Sequence, residues 1–155
     1  MIYQPPQNIA LRCRSKKTVF LAGSIEQNLA EDWQTIIGNW FLSLGWNVFN
    51  PRRTDWDSSW IQSYDNPQFN QQVSWELNAL EKSDVILMYL DPNTKSPISL
   101  LELGLHATSK KLYVVCPDGF WRRGNVEMVC STYDIPLFNT LEEFKKYMKI
   151  FDKLV

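Results

Sequence analysis

The runs Thr18 to Ser24, Asp84 to Leu90 and Lys111 to Cys116 are apolar almost throughout rather than at every second residue. A strand of that kind is buried on both faces, which a sheet achieves when it is parallel and helices cover it on either side. The sequence between these runs supplies such helices. From about Leu29 to Leu44, Trp33, Ile36, Ile37, Trp40, Phe41 and Leu44 recur at spacings of three and four, and Gly45 ends the pattern. Further helices are expected over Pro67 to Lys82, Ile98 to Ser109, Asn125 to Tyr133 and Leu141 to Leu154, with short strands at Trp46 to Asn50 and Pro136 to Phe138.

This alternation predicts one doubly wound, flavodoxin-like α/β domain over residues 17–155, with a mainly parallel sheet of about five strands and helices on both faces. Residues 1–16 carry two prolines and no periodicity, and read as a surface arm. In sheets of this kind ligands sit beyond the carboxyl ends of the strands, near the switch in strand order. The loops after Leu21, Phe49, Leu90 and Cys116 are therefore the ones to inspect. The loop over residues 51–66 is longer than most connections in small domains and is a functional-loop candidate.

Charge and composition remove several function classes. Lys plus Arg number 16 against 17 Asp plus Glu, so no basic footprint for a nucleic acid is present. The three cysteines, Cys13, Cys116 and Cys130, are scattered without a CxxC pair, which suggests neither a disulfide framework nor a zinc site. No run is long and apolar enough to span a membrane, and Met1-Ile-Tyr-Gln-Pro-Pro lacks the form of an export signal, so a soluble, cytoplasmic protein without a membrane partner is expected. No GxGxxG fingerprint or P-loop is present, so neither a dinucleotide nor another cofactor is expected. With His106 the sole histidine, acid and base work falls to carboxylates.

Two carboxylates draw attention. Glu102 is the one acid within the apolar run Ile98 to Ala107, a costly place for a charge unless it caps, pairs with a distant arginine or serves as a nucleophile. On the second helix Phe69, Val73, Leu77 and Leu80 define an apolar stripe, and Glu76 falls within it, either as a functional acid or as a core-edge carboxylate paired with Arg or Tyr. Glu81 lies at the rim of that stripe. Two inward acids on separate helices suit cleavage of a glycosidic bond, where one group bonds or stabilises the anomeric carbon and the other handles the leaving group's proton.

Gly23-Ser24 allows close backbone approach to a ligand, or is simply a small-residue turn. Arg52, Arg53, Asp55, Trp56, Asp57 and Trp60 give the long loop two cations, two acids and two indoles that suit a flat heterocycle, or a loop packed on its own tryptophans. His106, one turn after Glu102, either bonds near it or is a satisfied core histidine.

With these residues in place, the chain resembles the nucleoside 2-deoxyribosyltransferase superfamily, from about Val19 to Phe144. The resemblance rests on Phe20-Leu-Ala-Gly-Ser-Ile25, on an acid eight residues before Asp84, on Leu101-Glu-Leu-Gly104 and on Gly124-Asn-Val126. It implies that Glu102 is the nucleophile that forms a covalent 2-deoxyribosyl intermediate. It implies that Glu76, where the family usually has Asp, is the acid facing the base. Phe20, Gly23, Ser24, Arg52, Trp56, Asp57 and Ser96 would contact substrate. Asn125 would reach a neighbouring subunit's site, making the protein a homo-oligomer. The implied substrates are a 2′-deoxynucleoside and a free nucleobase. Ser96, six residues before the nucleophile, matches related nucleoside 5′-monophosphate hydrolases, so hydrolysis of 2′-deoxynucleoside 5′-monophosphates is the alternative activity. A nucleotide-binding module without catalysis is the third reading.

Overall fold

The computed structural model describes residues 1–9, 16–25, 32–53, 57 and 59–151. Among these residues the strands are β1 (Ile2–Tyr3), β2 (Thr18–Gly23), β3 (Asn47–Phe49), β4 (Val85–Tyr89), β5 (Leu112–Val115) and β6 (Leu137–Phe138). The helices are α1 (Trp33–Ser43), α2 (Pro67–Lys82), α3 (Pro97–His106), α4 (Arg123–Thr132) and α5 (Leu141–Phe151). The sheet is parallel, in the order β1-β3-β2-β4-β5-β6. Without β1 this is the flavodoxin-like order, and the switch in strand order lies between β2 and β4. The expected doubly wound α/β class is therefore observed.

Two expectations need correction. Among the described residues the sheet has six strands rather than about five, and the added strand comes from the supposed surface arm. Ile2 and Tyr3 pair in parallel with Val48 and Phe49. The Val48 amide donates to the Met1 carbonyl and the Asn50 amide to the Tyr3 carbonyl, both at 2.9 Å. Tyr3 and Ile9 are buried. Two residues followed by a pair of prolines carry no periodicity, and this strand exists because the edge of β3 offers it a ladder.

The chain divides into two compact units, Met1–Leu21 with Asp32–Ile86, and Ala22–Glu31 with Leu87–Val155. In the first, Asp32 caps α1 by accepting from the Thr35 amide at 3.3 Å and hydroxyl at 2.8 Å. Gly38 of α1 lets that helix close on Ile2, Leu21 and Val48. The strand beginnings are tied by Asp84, whose carboxylate accepts from both the amide and the hydroxyl of Thr18 at 2.8 Å. The expected start of α1 near Leu29 lies outside the described residues. In the second unit, α5 packs its Phe144 and Tyr147 rings on Tyr113 and Phe138 with centroids 5.3–6.1 Å apart.

In the second unit the backbone comes close to itself at the end of β2. Gly23 has φ +126°, and a Cβ there would fall on the Tyr89 carbonyl oxygen and 2.7 Å from the Tyr89 nitrogen. Gly23→Ala is expected to cost about 3 kcal/mol or more, because backbone strain and overpacking combine. Thermal unfolding reads it; a midpoint within about 2 °C of the native one would show that β2 and β4 do not meet so closely.

Candidate active site

In the second unit, the switch point is held by hydroxyl groups. The Ser24 amide donates to the Tyr89 carbonyl at 2.9 Å, and Ser24 Oγ accepts the Asp91 amide at 2.8 Å. Ser24 Oγ also bonds Thr94 Oγ1 at 2.8 Å and Ser96 Oγ at 2.7 Å, while Thr94 Oγ1 and Ser96 Oγ lie 2.8 Å apart. All four residues are buried. Ser96 takes a left-handed conformation, φ +45°, and Pro97 follows as the first residue of α3. The strained residue and the hydroxyl triangle together fix where α3 begins, and with it the height of Glu102.

Glu102 is half-buried. The premise of an acid enclosed in an apolar helix is corrected here. Ser99, Leu103 and His106 of α3 are buried, but Ile98, Leu101 and Leu105 are 60–69% exposed. At about 100° per residue, Glu102 falls on the boundary between those two faces. His106 lies one turn further along α3 and is buried. Beside this helix a groove of about 310 Å³ is lined by Leu100, Leu103, Gly104, Trp121, Arg122, Asn125, Val126 and Val129. A Cβ on Gly104 would meet nothing within 4 Å, so that residue faces open space. Asn125 is exposed at the groove, and the Arg122 guanidinium lies over the Trp121 ring at 4.4 Å.

In the first unit, α2 begins at Pro67 behind the Asn66 cap and ends at Lys82, as expected. Its buried stripe is rotated from the expected one. Gln72, Trp75, Ala79 and Leu80 are buried, Phe69 and Val73 are half-buried, and Leu77 is 48% exposed. Trp75 is drawn inward because its Nε1 donates to the Gln7 carbonyl at 2.8 Å while its ring packs on Phe20 and Phe49. Phe20 is correspondingly a core ring, 1% exposed.

Glu76 lies beside this stripe. Burial pushes its carboxyl above the ordinary glutamate range, and a hydrogen bond from Gln72 partly offsets that. Gln72 Nε2 donates to Glu76 Oε1 at 2.8 Å and to the Pro51 carbonyl at 2.9 Å. Gln72 thus joins α2 to the loop after β3. Sequence reading missed it, although its place four residues before Glu76 on the same helix face was a usable signal.

The long loop is partly self-packed. Arg52 Nη1 is 3.5 Å from Asp32 Oδ1 and 3.4 Å from Gln34 Oε1, and the Arg53 guanidinium stacks 5.2 Å over Trp60. Asp57 is exposed and accepts from the Ser59 amide at 2.8 Å; that contact with Ser59 holds its carboxyl below the usual range. Trp56 lies outside the described residues. Burial pushes the Cys116 and Cys130 thiols up to about 11 and about 12, so neither suits a nucleophile. Among the described residues no group of His, Cys, Asp and Glu is placed to hold a metal ion, and no helix is long and apolar enough to cross a membrane.

The family model described as nucleoside 2-deoxyribosyltransferase like matches residues 16–120, about two thirds of the chain. The chain belongs to this family. No curated protein matches it directly. The matched span of this deoxyribosyltransferase-like chain contains the hydroxyl triangle, Gln72, Glu76 and Glu102, and ends before Asn125.

The raised affinity of Glu76 for its proton has a consequence for stability. The folded chain binds that proton more tightly than the unfolded one, so this group favours folding at low pH. The contribution is lost as pH rises from the ordinary glutamate range through the raised folded value. Glu76→Gln cannot ionise and is expected to exceed the native protein in stability at neutral pH while matching it in acid. Denaturant midpoints at the two pH values check this; equal midpoints at neutral pH would show that Glu76 ionises without penalty.

Proposed function

We propose that the protein is a nucleoside 2-deoxyribosyltransferase that exchanges the base of 2′-deoxynucleosides through a covalent intermediate on Glu102. A Glu102 carboxylate oxygen bonds to C1′ as the bond from C1′ to the base nitrogen breaks, its electron pair leaving with the base. Glu76 gives its proton to that nitrogen. An incoming base then bonds to C1′, returns a proton to Glu76, and frees the Glu102 carboxylate. The observation that carries this reading is the setting of Glu76: Gln72 Nε2 holds its Oε1 at 2.8 Å, and burial raises the carboxyl's affinity for a proton, the direction that suits a general acid.

Hydrolysis of 2′-deoxynucleoside 5′-monophosphates is the second reading, favoured by Ser96 at the start of α3. The hydroxyls of Ser24, Thr94 and Ser96 bond to one another, and Ser24 Oγ takes the Asp91 amide. That pattern supports the free nucleoside as substrate rather than its phosphate. Supplying deoxyinosine and adenine discriminates the readings. Deoxyadenosine is the expected product; free deoxyribose, or turnover of monophosphates alone, would favour the hydrolase, and silence with all of them a binding module. Glu102→Ala is expected to lower turnover by about 10³-fold or more, as loss of a nucleophile does, with thermal unfolding unchanged.

The proposed assembly is a homo-oligomer in which a second copy covers the α3 and α4 face. Ile98, Leu101, Leu105 and Met128 are 60–70% exposed on these two helices, and Asn125 of α4 lines the groove beside α3. Leu101→Asp is expected to shift sedimentation to the monomer and to reduce base exchange with it. A native protein that sediments as a monomer at the assay concentration would sink this part.

A further inference from the structure

We infer that Gln72 selects the nucleobase: its buried Oε1 accepts an N–H from the base that Glu76 serves. The inference rests on the proposed role of Glu76 and concerns which bases that acid meets.

Gln72 is 5% exposed, so its amide has little access to bulk water. The Pro51 carbonyl can only accept, which forces the amide nitrogen toward it and fixes which end of the side chain is oxygen. The second N–H goes to Glu76 Oε1. Both donors are then spent, and Oε1 is left without a hydrogen-bond partner among the described residues. Such a buried acceptor is rare in a folded chain and calls for an explanation. A ligand that brings the missing donor is one, and this acceptor belongs to the same amide that holds the base-side acid.

The ligand chemistry follows. Oε1 takes a donor and repels an acceptor, so it favours bases with an exocyclic amine, such as adenine, over bases with a bare ring edge. Sites that hydrogen-bond a polar substituent discriminate strongly against the analogue that lacks it, because the protein group is then buried unpaired. A trapped water on Oε1 is the rival account.

Adenine and unsubstituted purine differ by one exocyclic amine and serve as paired acceptor bases, with deoxyinosine as donor. The native protein is expected to prefer adenine by at least about tenfold in kcat/KM. In Gln72→Met the ratio is expected to shrink to within about threefold, while any loss common to both bases reports the weakened hold on Glu76. Gln72→Glu keeps an oxygen acceptor and is expected to retain the adenine preference, with its pH profile displaced upward by the added charge. An adenine-to-purine ratio equal in native protein and Gln72→Met overturns the inference, and assigns Oε1 to water.

Calorimetric binding of the two free bases separates this from failure of the catalytic reading. Adenine preference in binding that Gln72→Met abolishes sustains the contact even where no transfer occurs. Equal binding of both bases to native protein without turnover removes both proposals.

Discussion

The close approach of the end of β2 to β4 is the constraint on which the second unit depends. Gly23 is there because any side chain would overlap Tyr89 backbone, and Ser24 follows because the Asp91 amide needs an acceptor. The hydroxyls of Thr94 and Ser96 then close on Ser24 within 2.8 Å. A buried hydroxyl without a partner is costly, so three that satisfy one another form a cooperative knot rather than three separate contacts. That knot sets the first turn of α3. Glu102 owes its place at a face boundary to a backbone contact more than a turn away from it.

The first unit meets a different problem, that of keeping a carboxyl in a poorly solvated place. Gln72 solves it with one side chain, donating to Glu76 and to the Pro51 carbonyl. The solution is incomplete, since the same amide leaves its oxygen unmatched among the described residues. A stable core would rather have an apolar residue at both positions. Under the proposed mechanism that cost is stability given up for chemistry.

The helices α3 and α4 show why apolar content is a weak guide to burial. Every residue of α3 between Ile98 and Gly104 except Ser99 and Glu102 is aliphatic or glycine, yet Leu101 is 69% exposed while Ser99 is 5% exposed. Ser99 shares the buried face of α3 with Leu103 and His106, whereas Leu101 shares the exposed face with Ile98 and Leu105. An amphipathic pattern tells which residues tolerate burial, and neighbouring surfaces decide which of them receive it.

The local chemistry of the chain was enough to determine the class of fold and most element bounds. Asn66, Pro67 and Ser83 bracket α2 with caps that act within one turn, and the continuous apolar runs of β2, β4 and β5 demand cover on both faces whatever surrounds them. The family motifs were legible for the same reason, since Phe20-Leu-Ala-Gly-Ser-Ile25 and Leu101-Glu-Leu-Gly104 are short contiguous runs. Tertiary structure alone decided the rest. Strand β1 needed the edge of β3, the buried face of α2 needed the Gln7 and Pro51 carbonyls, and the unmatched oxygen of Gln72 needed both its donors taken by residues 4 and 21 positions away. Hydrogen bonds between distant segments satisfy atoms rather than patterns, and no periodicity in the chain records which atoms those will be.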